Sequence, residues 1–190
     1  MPVHTLGGER TNAVFYDNVA ISDDYRLGPV NDGWRVMSAP LHAEHGGGEK
    51  DIYGELNRSS YGWVLQDLLA RATNWAQTPG PDGILPFDDV SVRTKLAEIS
   101  VEVELIRNVP GPMGRVLSSD LLIQRSAELV DMIGPEAVIA RGSEGAVEEG
   151  ELEWGHRFAQ GTAIYGGTTD ITRNIVAQHE LGLPRPPKIG

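Results

Sequence analysis

Apolar residues recur at intervals of three and four in the middle of the chain, the spacing that places them on one face of an α-helix. A second apolar run covers residues 117–133 and stops at Gly134-Pro135. Pro110 and Pro112 are expected to end the helix before it. The apolar positions of that earlier helix lie four, three, four and three residues apart: Val92, Leu96, Ile99, Val103 and Ile106. These two segments are predicted to be amphipathic helices of a bundle.

Weaker patterns predict further helices. One begins near Asp32 and contains Pro40, which lacks a backbone donor and predicts a kink. Others are expected at residues 51–76, 154–164 and 170–181. Loops are expected where Pro, Gly or acidic residues accumulate, at residues 78–86 and 141–153.

The only predicted β structure lies near the start of the chain. Residues 13–21 (AVFYDNVAI) combine β-branched and aromatic residues with the turn pair Asp17-Asn18, which predicts a strand, a turn and the start of another strand. The chain is therefore predicted to be mainly α: an antiparallel four-helix bundle over residues 31–190, preceded by a short β segment within residues 1–30.

Composition narrows the function classes. The net charge of -11, from 16 basic and 27 acidic residues, leaves no basic stripe for nucleic acid. No stretch approaches the roughly 18 apolar residues of a membrane span, and no export signal precedes the first helix. Since the 190 residues include no cysteine, disulfides and thiolate chemistry are excluded, and we expect a cytoplasmic protein.

One short motif suggests a ligand site. Gly166-Gly167 followed by Thr168-Thr169-Asp170 places flexible backbone before capping residues, so N–H groups and hydroxyls project from one helix start. By itself such a pattern is more often a capped helix than a ligand site. A competing metal site would use His42, Glu44, His45 and Glu49, but the spacing lacks the His-Glu-x-x-His order. No metal is therefore predicted.

Three segments together resemble one family. They are Tyr165–Ala177 (YGGTTDITRNIVA) with its Leu-Gly-Leu-Pro ending, Phe15–Val19 (FYDNV), and Gly33–Val36 (GWRV). The combination resembles the C-terminal half of acyl-CoA dehydrogenases, and the order and spacing match across nearly the whole chain. The resemblance implies a remnant of the middle β domain at residues 1–30 and the C-terminal helical-bundle domain at residues 31–190.

The resemblance also implies the chemistry, which is α,β-desaturation of an acyl-CoA thioester with FAD as cofactor. Some relatives carry the catalytic Glu where this chain has Gly166, whereas isovaleryl- and long-chain-type relatives use a Glu that corresponds to Glu44. Glu44 is thus the expected base, and the Gly166 backbone would polarise the thioester carbonyl. Tyr165 and Gly167 would contact the substrate.

Cofactor contacts are implied for Thr168 and Asp170 near the flavin, and for Asp131 and Gly134 at the FAD diphosphate. Two family features differ here: nothing matches the Arg-x-x-Phe-Gly motif, and Asp131-Met-Ile-Gly134-Pro135 replaces Gln-x-x-Gly-Gly. A carboxylate near a diphosphate is unfavourable by charge, so a partner chain is an alternative source of adenosine-end contacts.

Implied partners are a homo- or hetero-oligomer and an electron-transfer flavoprotein that accepts the electrons. Two alternatives to the complete enzyme remain open. One is a non-catalytic or half-site subunit that scaffolds a heteromeric acyl-CoA dehydrogenase, and the other is a helical interaction domain without cofactor.

Overall fold

The computed structural model describes the backbone of residues 1–44 and 61–185, and the side chains of residues 1–41 and 61–185. Within these ranges a two-stranded hairpin precedes six α-helices. The strands are β1 (Pro2–His4) and β2 (Arg10–Asn12). The helices are α1 (Gly33–Glu44), α2 (Gly62–Ala76), α3 (Val90–Arg107), α4 (Gly111–Ile133), α5 (Glu151–Thr162) and α6 (Thr169–Ile175), the last continuing into one π turn (Val176–Glu180).

Helix α3 confirms the clearest sequence prediction. The side chain of Asp89 accepts a hydrogen bond of 2.7 Å from the Ser91 backbone N–H and caps the helix start. All five apolar residues of the predicted stripe are buried: Val92, Leu96, Ile99, Val103 and Ile106. The spacing therefore identified the face that α3 turns toward the core.

The core lies between α2, α3, α4 and α5, and α4 contacts the other three as well as α6. Its largest fully buried apolar side chains are Val64, Leu65, Leu68, Ile99, Ile106, Leu122, Leu129 and Leu152. The mainly α bundle architecture is thus as predicted. None of the helices in the described part of the chain is long and apolar enough to cross a membrane.

An ion-pair cluster joins α3 to α4. Arg125 on α4 donates to Glu102 on α3 at 2.7 Å and also pairs with Glu128. Lys95 on α3 donates to the same Glu128 carboxylate at 2.7 Å. Burial opposes ionisation of Glu128, but hydrogen bonds from Lys95, Gln124 and Arg125 outweigh it and lower its pKa from 4.5 to about 2. The cluster therefore favours the charged, paired form.

Glu128→Gln is expected to lower the free energy of unfolding at pH 7 by about 1–2 kcal/mol. The loss is smaller than that expected for a fully buried charged hydrogen bond, because the Glu128 side chain is 27% exposed and solvent screens the interaction. The pKa of Glu128 is lower in the folded chain than in the unfolded one, so its contribution is complete above about pH 4.5 and is lost as the pH falls toward 2. The difference should therefore shrink between pH 7 and pH 3. Urea denaturation at both pH values measures it, with exposed Glu136→Gln as the control; an equal loss for both variants would contradict the assignment.

The strand prediction was wrong in position. Residues 13–21 form no strand, and the hairpin lies earlier, with Pro2 opposite Asn12 and His4 opposite Arg10. The aromatic and β-branched residues of the predicted strand are largely exposed, Phe15 at 84% and Tyr16 at 82%. β-propensity alone does not form a strand, because strands need a neighbour to pair with and a surface to pack on.

Two helix starts also differ from the prediction. Helix α4 begins at Gly111 rather than 117, because Pro112 sits in its first turn, where a backbone donor is not needed. Helix α5 begins at Glu151 rather than 154, and the predicted loop before it contains a 3-10 turn at Val147–Gly150. Helix α1 does begin near Asp32 and contains Pro40. Of the helix predicted at 51–76, residues 51–60 lie outside the described residues.

Candidate functional site

The exposed turn between α5 and α6 contains the Gly-Gly motif. Gly166 and Gly167 adopt φ angles of 60° and 90°, which L-residues with side chains rarely adopt. A Cβ atom built on either glycine would have no described atom within 4 Å. The side of the turn on which a side chain would lie is therefore open.

Thr168 ends the turn as the N-cap of α6. Its hydroxyl accepts a hydrogen bond of 3.2 Å from the Ile171 backbone N–H, and its carbonyl accepts one of 3.0 Å from the Thr172 hydroxyl. Across the turn, the Thr169 backbone N–H donates to the Ala163 carbonyl at 2.9 Å. The structure thus gives Thr168 a capping role, and its exposed side chain remains accessible on the ligand side.

Asp170 lies in the first turn of α6, where a carboxylate is favoured by the helix dipole. It pairs with Arg173 at 3.2 Å, and Arg173 also binds Asp120 on α4 at 2.6 Å. The Asp170 side chain is 88% exposed. This network ties α6 to α4 and leaves most of the Asp170 carboxylate facing away from the bundle.

Tyr165 precedes the glycines and is half-buried. Its ring packs against Gly161 on α5, where an added Cβ would overlap the ring. Its carbonyl accepts a hydrogen bond from the Arg115 guanidinium on α4. Tyr165, Gly166, Gly167, Thr168 and Asp170 are therefore brought together at one end of the bundle, as consecutive sequence requires.

Arg115 is a residue that the sequence reasoning missed. It is buried in the bundle, with 7% of its surface exposed, and its Cζ lies 4.6 Å from the centre of the Tyr61 ring. A signal was present in the sequence: Arg115 falls on the same helical face as the buried Ser118, Ser119 and Leu122, at spacings of three, four and seven. A charged residue on a buried face indicates a specific partner.

Asp131 and Gly134 lie away from the glycine turn, at the other end of α4. Asp131 is exposed near the C-terminal end of α4, and Gly134, with φ of 100°, ends that helix. At 1.5 Å per residue, Asp131 is roughly 24 Å along α4 from Arg115. The structure does not bring these two residues together with the glycine turn, so any ligand that contacts both sites must be an extended one.

Glu44 is the last residue of α1, but its side chain lies outside the described residues. The same holds for His42, His45 and Glu49, the alternative metal set. Among the side chains that the structure does describe, no group of three or more His, Cys, Asp or Glu residues is placed to hold a metal ion. The base assignment therefore stays a prediction.

The fold and the turn together define a class of protein: a helical-bundle domain whose last described helix starts at a capped Gly-Gly turn. Residues 112–181 match the family model described as acyl-CoA dehydrogenase, C-terminal domain. Acyl-CoA dehydrogenase FadE26 from Mycobacterium tuberculosis is 26% identical over 206 residues, an alignment that covers 97% of this chain and 48% of the relative. Over residues 112–181 the chain therefore resembles the C-terminal domain of acyl-CoA dehydrogenases, and the similarity to FadE26 extends across most of its length.

Solved structures agree with this placement. The ChsE4-ChsE5 complex from Mycobacterium tuberculosis matches with a TM-score of 0.82 and 25% identity, covering 98% of this chain and 49% of that one. The Tcur3481-Tcur3483 steroid ACAD matches with a TM-score of 0.78 and 22% identity, again over 98% and 49%; at that identity the likeness concerns the fold. The chain therefore spans about half the length of the relatives it matches.

Thr168→Ala is expected to lower the free energy of unfolding by about 1 kcal/mol, because the first turn of α6 loses its cap. Hydrogen exchange at residues 168–172 should quicken at the same time. Thr94→Ala is the matched control, since Thr94 is exposed within α3 and its hydroxyl only donates back to the Val90 carbonyl; its effect should stay within about 0.5 kcal/mol. Equal effects of the two substitutions would argue against the cap.

Proposed function

We propose that this chain is the C-terminal half of a flavin-dependent acyl-CoA dehydrogenase, an oxidoreductase that desaturates the Cα–Cβ bond of an acyl-CoA thioester. The main support is that residues 112–181 match the family's C-terminal domain model and contain the exposed Gly166-Gly167 turn. The open space beside both glycines favours a ligand site over a helical interaction domain without cofactor, although left-handed glycines alone also occur in ordinary helix-ending turns.

The described residues fit an FAD ring at this turn. A Cβ built on either glycine would meet no described atom within 4 Å, which leaves space on that side of the turn for a flat ring, and the exposed Thr168 lies beside it. FAD, when bound, accepts the hydride that leaves the substrate Cβ. The chain's own contribution would be to orient the ring and the thioester at the turn, with Asp170 as a further polar contact and Tyr165 as a wall of the acyl pocket.

Glu44 is the proposed base that removes the Cα proton. Gly166 has no side chain, so a carboxylate for this step has to come from another position. A base must reach the proton within hydrogen-bond distance, and its pKa must suit a weak carbon acid. Glu44, at the C-terminal end of α1, is the position that the family resemblance indicates.

A second polypeptide is proposed to complete the enzyme. Several large apolar side chains between residues 14 and 37 are exposed to solvent. Four aromatic ones are at least 78% exposed: Phe15, Tyr16, Tyr25 and Trp34. Exposed aromatic clusters of this kind mark interfaces. Two of the matched structures carry paired names, ChsE4-ChsE5 and Tcur3481-Tcur3483, and the second is described as a steroid ACAD. A hetero-oligomer acting on a bulky acyl-CoA is therefore the form we favour, with an electron-transfer flavoprotein as electron acceptor.

The second candidate is a half-site subunit that supports the assembly without supplying the base. Gly166 in place of a carboxylate, and Asp131 with Pro135 at the expected diphosphate position, favour it. Flavin absorbance in the purified assembly without Glu44-dependent turnover would identify this alternative.

Glu44→Gln should lower turnover of an acyl-CoA by roughly 10²–10⁴-fold with little change in flavin content, since the amide cannot take a proton. The assay uses the assembly purified with its co-encoded partner, an artificial electron acceptor, and both straight-chain and steroid-derived CoA thioesters. Glu144→Gln, at an exposed Glu in the loop before α5, is the control and should leave turnover unchanged. Undiminished turnover in Glu44→Gln would rule out this base.

The isolated chain should self-associate or co-purify with a partner, because burying the aromatic residues of segment 14–37 is worth about 25 cal/mol per Å² of apolar surface. Phe15→Ser combined with Trp34→Ser should weaken that association. Sedimentation or size-exclusion measurements test it, with Ile84→Ser, an exposed residue outside the segment, as the control. A stable wild-type monomer that captures no partner would contradict the proposal.

A further inference from the structure

The side chain of Arg115 reaches from α4 to the segment that leads into the glycine turn. One guanidinium nitrogen, Nη2, donates to the Thr162 carbonyl at 2.6 Å and also to the Tyr165 carbonyl. Thr162 is the last residue of α5, where backbone acceptors have no partner within the helix, and Tyr165 lies in the turn that follows. Arg115 therefore satisfies the helix end and holds the residue just before Gly166.

The guanidinium of Arg115 makes no ion pair within 4 Å among the described residues. Its other terminal nitrogen, Nη1, is buried without a described hydrogen-bond partner. Its Cζ also lies 4.6 Å from the centre of the Tyr61 ring. Burying a cation without a counterion is costly, and an apolar side chain of similar size would pack α4 against α5 at lower cost.

The Arg115 guanidinium orients the peptide unit that precedes the glycines. The peptide unit that joins Tyr165 to Gly166 is planar and trans, so fixing the Tyr165 oxygen also fixes the direction of the Gly166 N–H. Glycines have a wider range of backbone conformations than other residues, so a fixed peptide on the N-terminal side restricts the turn. The far side of the turn is already held by the hydrogen bond from Thr169 to Ala163 and by the Thr168 cap.

We propose that Arg115 is a positioning residue: it fixes the Tyr165–Gly166 peptide, and with it the backbone that faces the thioester and the flavin. This inference rests on the proposed function for its catalytic consequence, but its structural part stands separately. A buried hydrogen bond of 2.8 Å between Ser119 and Thr162 holds α4 and α5 together beside it, so removing the guanidinium should loosen the turn without separating the helices.

The test compares Arg115→Met, which keeps the length of the side chain, with Arg115→Lys, which keeps the charge. Hydrogen exchange of residues 163–169 should become about ten-fold faster or more in Arg115→Met, since two charge-assisted hydrogen bonds are lost, and should return most of the way to wild type in Arg115→Lys. Exchange in α3 should change little.

Arg125→Gln is the matched control, because it removes another partly buried guanidinium of α4 that contacts only the α3 side of the bundle and Glu128 on α4 itself. It should lower overall stability without selectively loosening residues 163–169. If Arg115→Met speeds exchange equally throughout the bundle, or leaves residues 163–169 as protected as in wild type, the proposal is overturned. Should Arg115→Met not fold, Arg115→Gln replaces it. Failure of Arg115→Gln to speed exchange at residues 163–169 would then overturn the proposal.

Kinetics in the assembled enzyme then separate the two proposals. Arg115→Met should lower kcat for the acyl-CoA while KM changes little, and Arg115→Lys should recover most of kcat. Equal losses in kcat for Arg115→Met and Arg115→Lys, despite normal turn protection in the latter, would count against a positioning role. Absence of turnover in the wild-type assembly would refute the proposed function, whereas the exchange experiment would still decide the role of Arg115.

Discussion

The close approach of α4 and α5 is the constraint on which the site depends. Small residues line this contact and its flank: Ser119 on α4 hydrogen-bonds to Thr162 on α5 at 2.8 Å, and Gly155 on α5 lets Leu68 of α2 pack closely beside it. A larger residue at these contacts would push the helices apart, because interiors are packed as densely as organic crystals. Only at this separation can Arg115 on α4 reach the carbonyls at the end of α5.

The hairpin at the start of the chain uses the other face of α5. Trp154 donates to the Gly7 carbonyl at 3.0 Å, and Arg157 donates to the Leu6 carbonyl at 2.7 Å. The Trp154 ring also stacks on Phe158, with ring centres 5.1 Å apart. Helix α5 thus connects three parts of the molecule: the hairpin, the bundle core and the turn that starts α6. A disturbance in α5 would reach all three.

Periodicity in the sequence predicted the bundle well, because α3 and α4 bury their stripes against neighbours in the same chain. The strand expected at residues 13–21 came from β-propensity rather than periodicity, and it was wrong because these apolar side chains are largely exposed and have no strand to pair with among the described residues. Proline was an ambiguous signal for helix ends. Pro112 lies in the first turn of α4 and does not end a helix, because the first turn tolerates the missing backbone N–H.

The candidate site was predictable only as far as it is local. Gly166 through Asp170 are consecutive, so a motif could identify them, and the capping role of Thr168 follows from residue type. Arg115 lies 50 residues from its acceptor Tyr165, and no local pattern relates the two. Glu44 was assigned by family resemblance alone, because neither periodicity nor spacing relates the end of α1 to the glycine turn.

The left-handed backbone at Gly166 has an evolutionary consequence. A glutamate at φ of 60° would cost roughly 1–2 kcal/mol in backbone strain that glycine avoids. A long acidic side chain could therefore be acquired at position 166 most readily together with a change in the neighbouring turn, whereas exposed positions on the helices carry no such backbone cost.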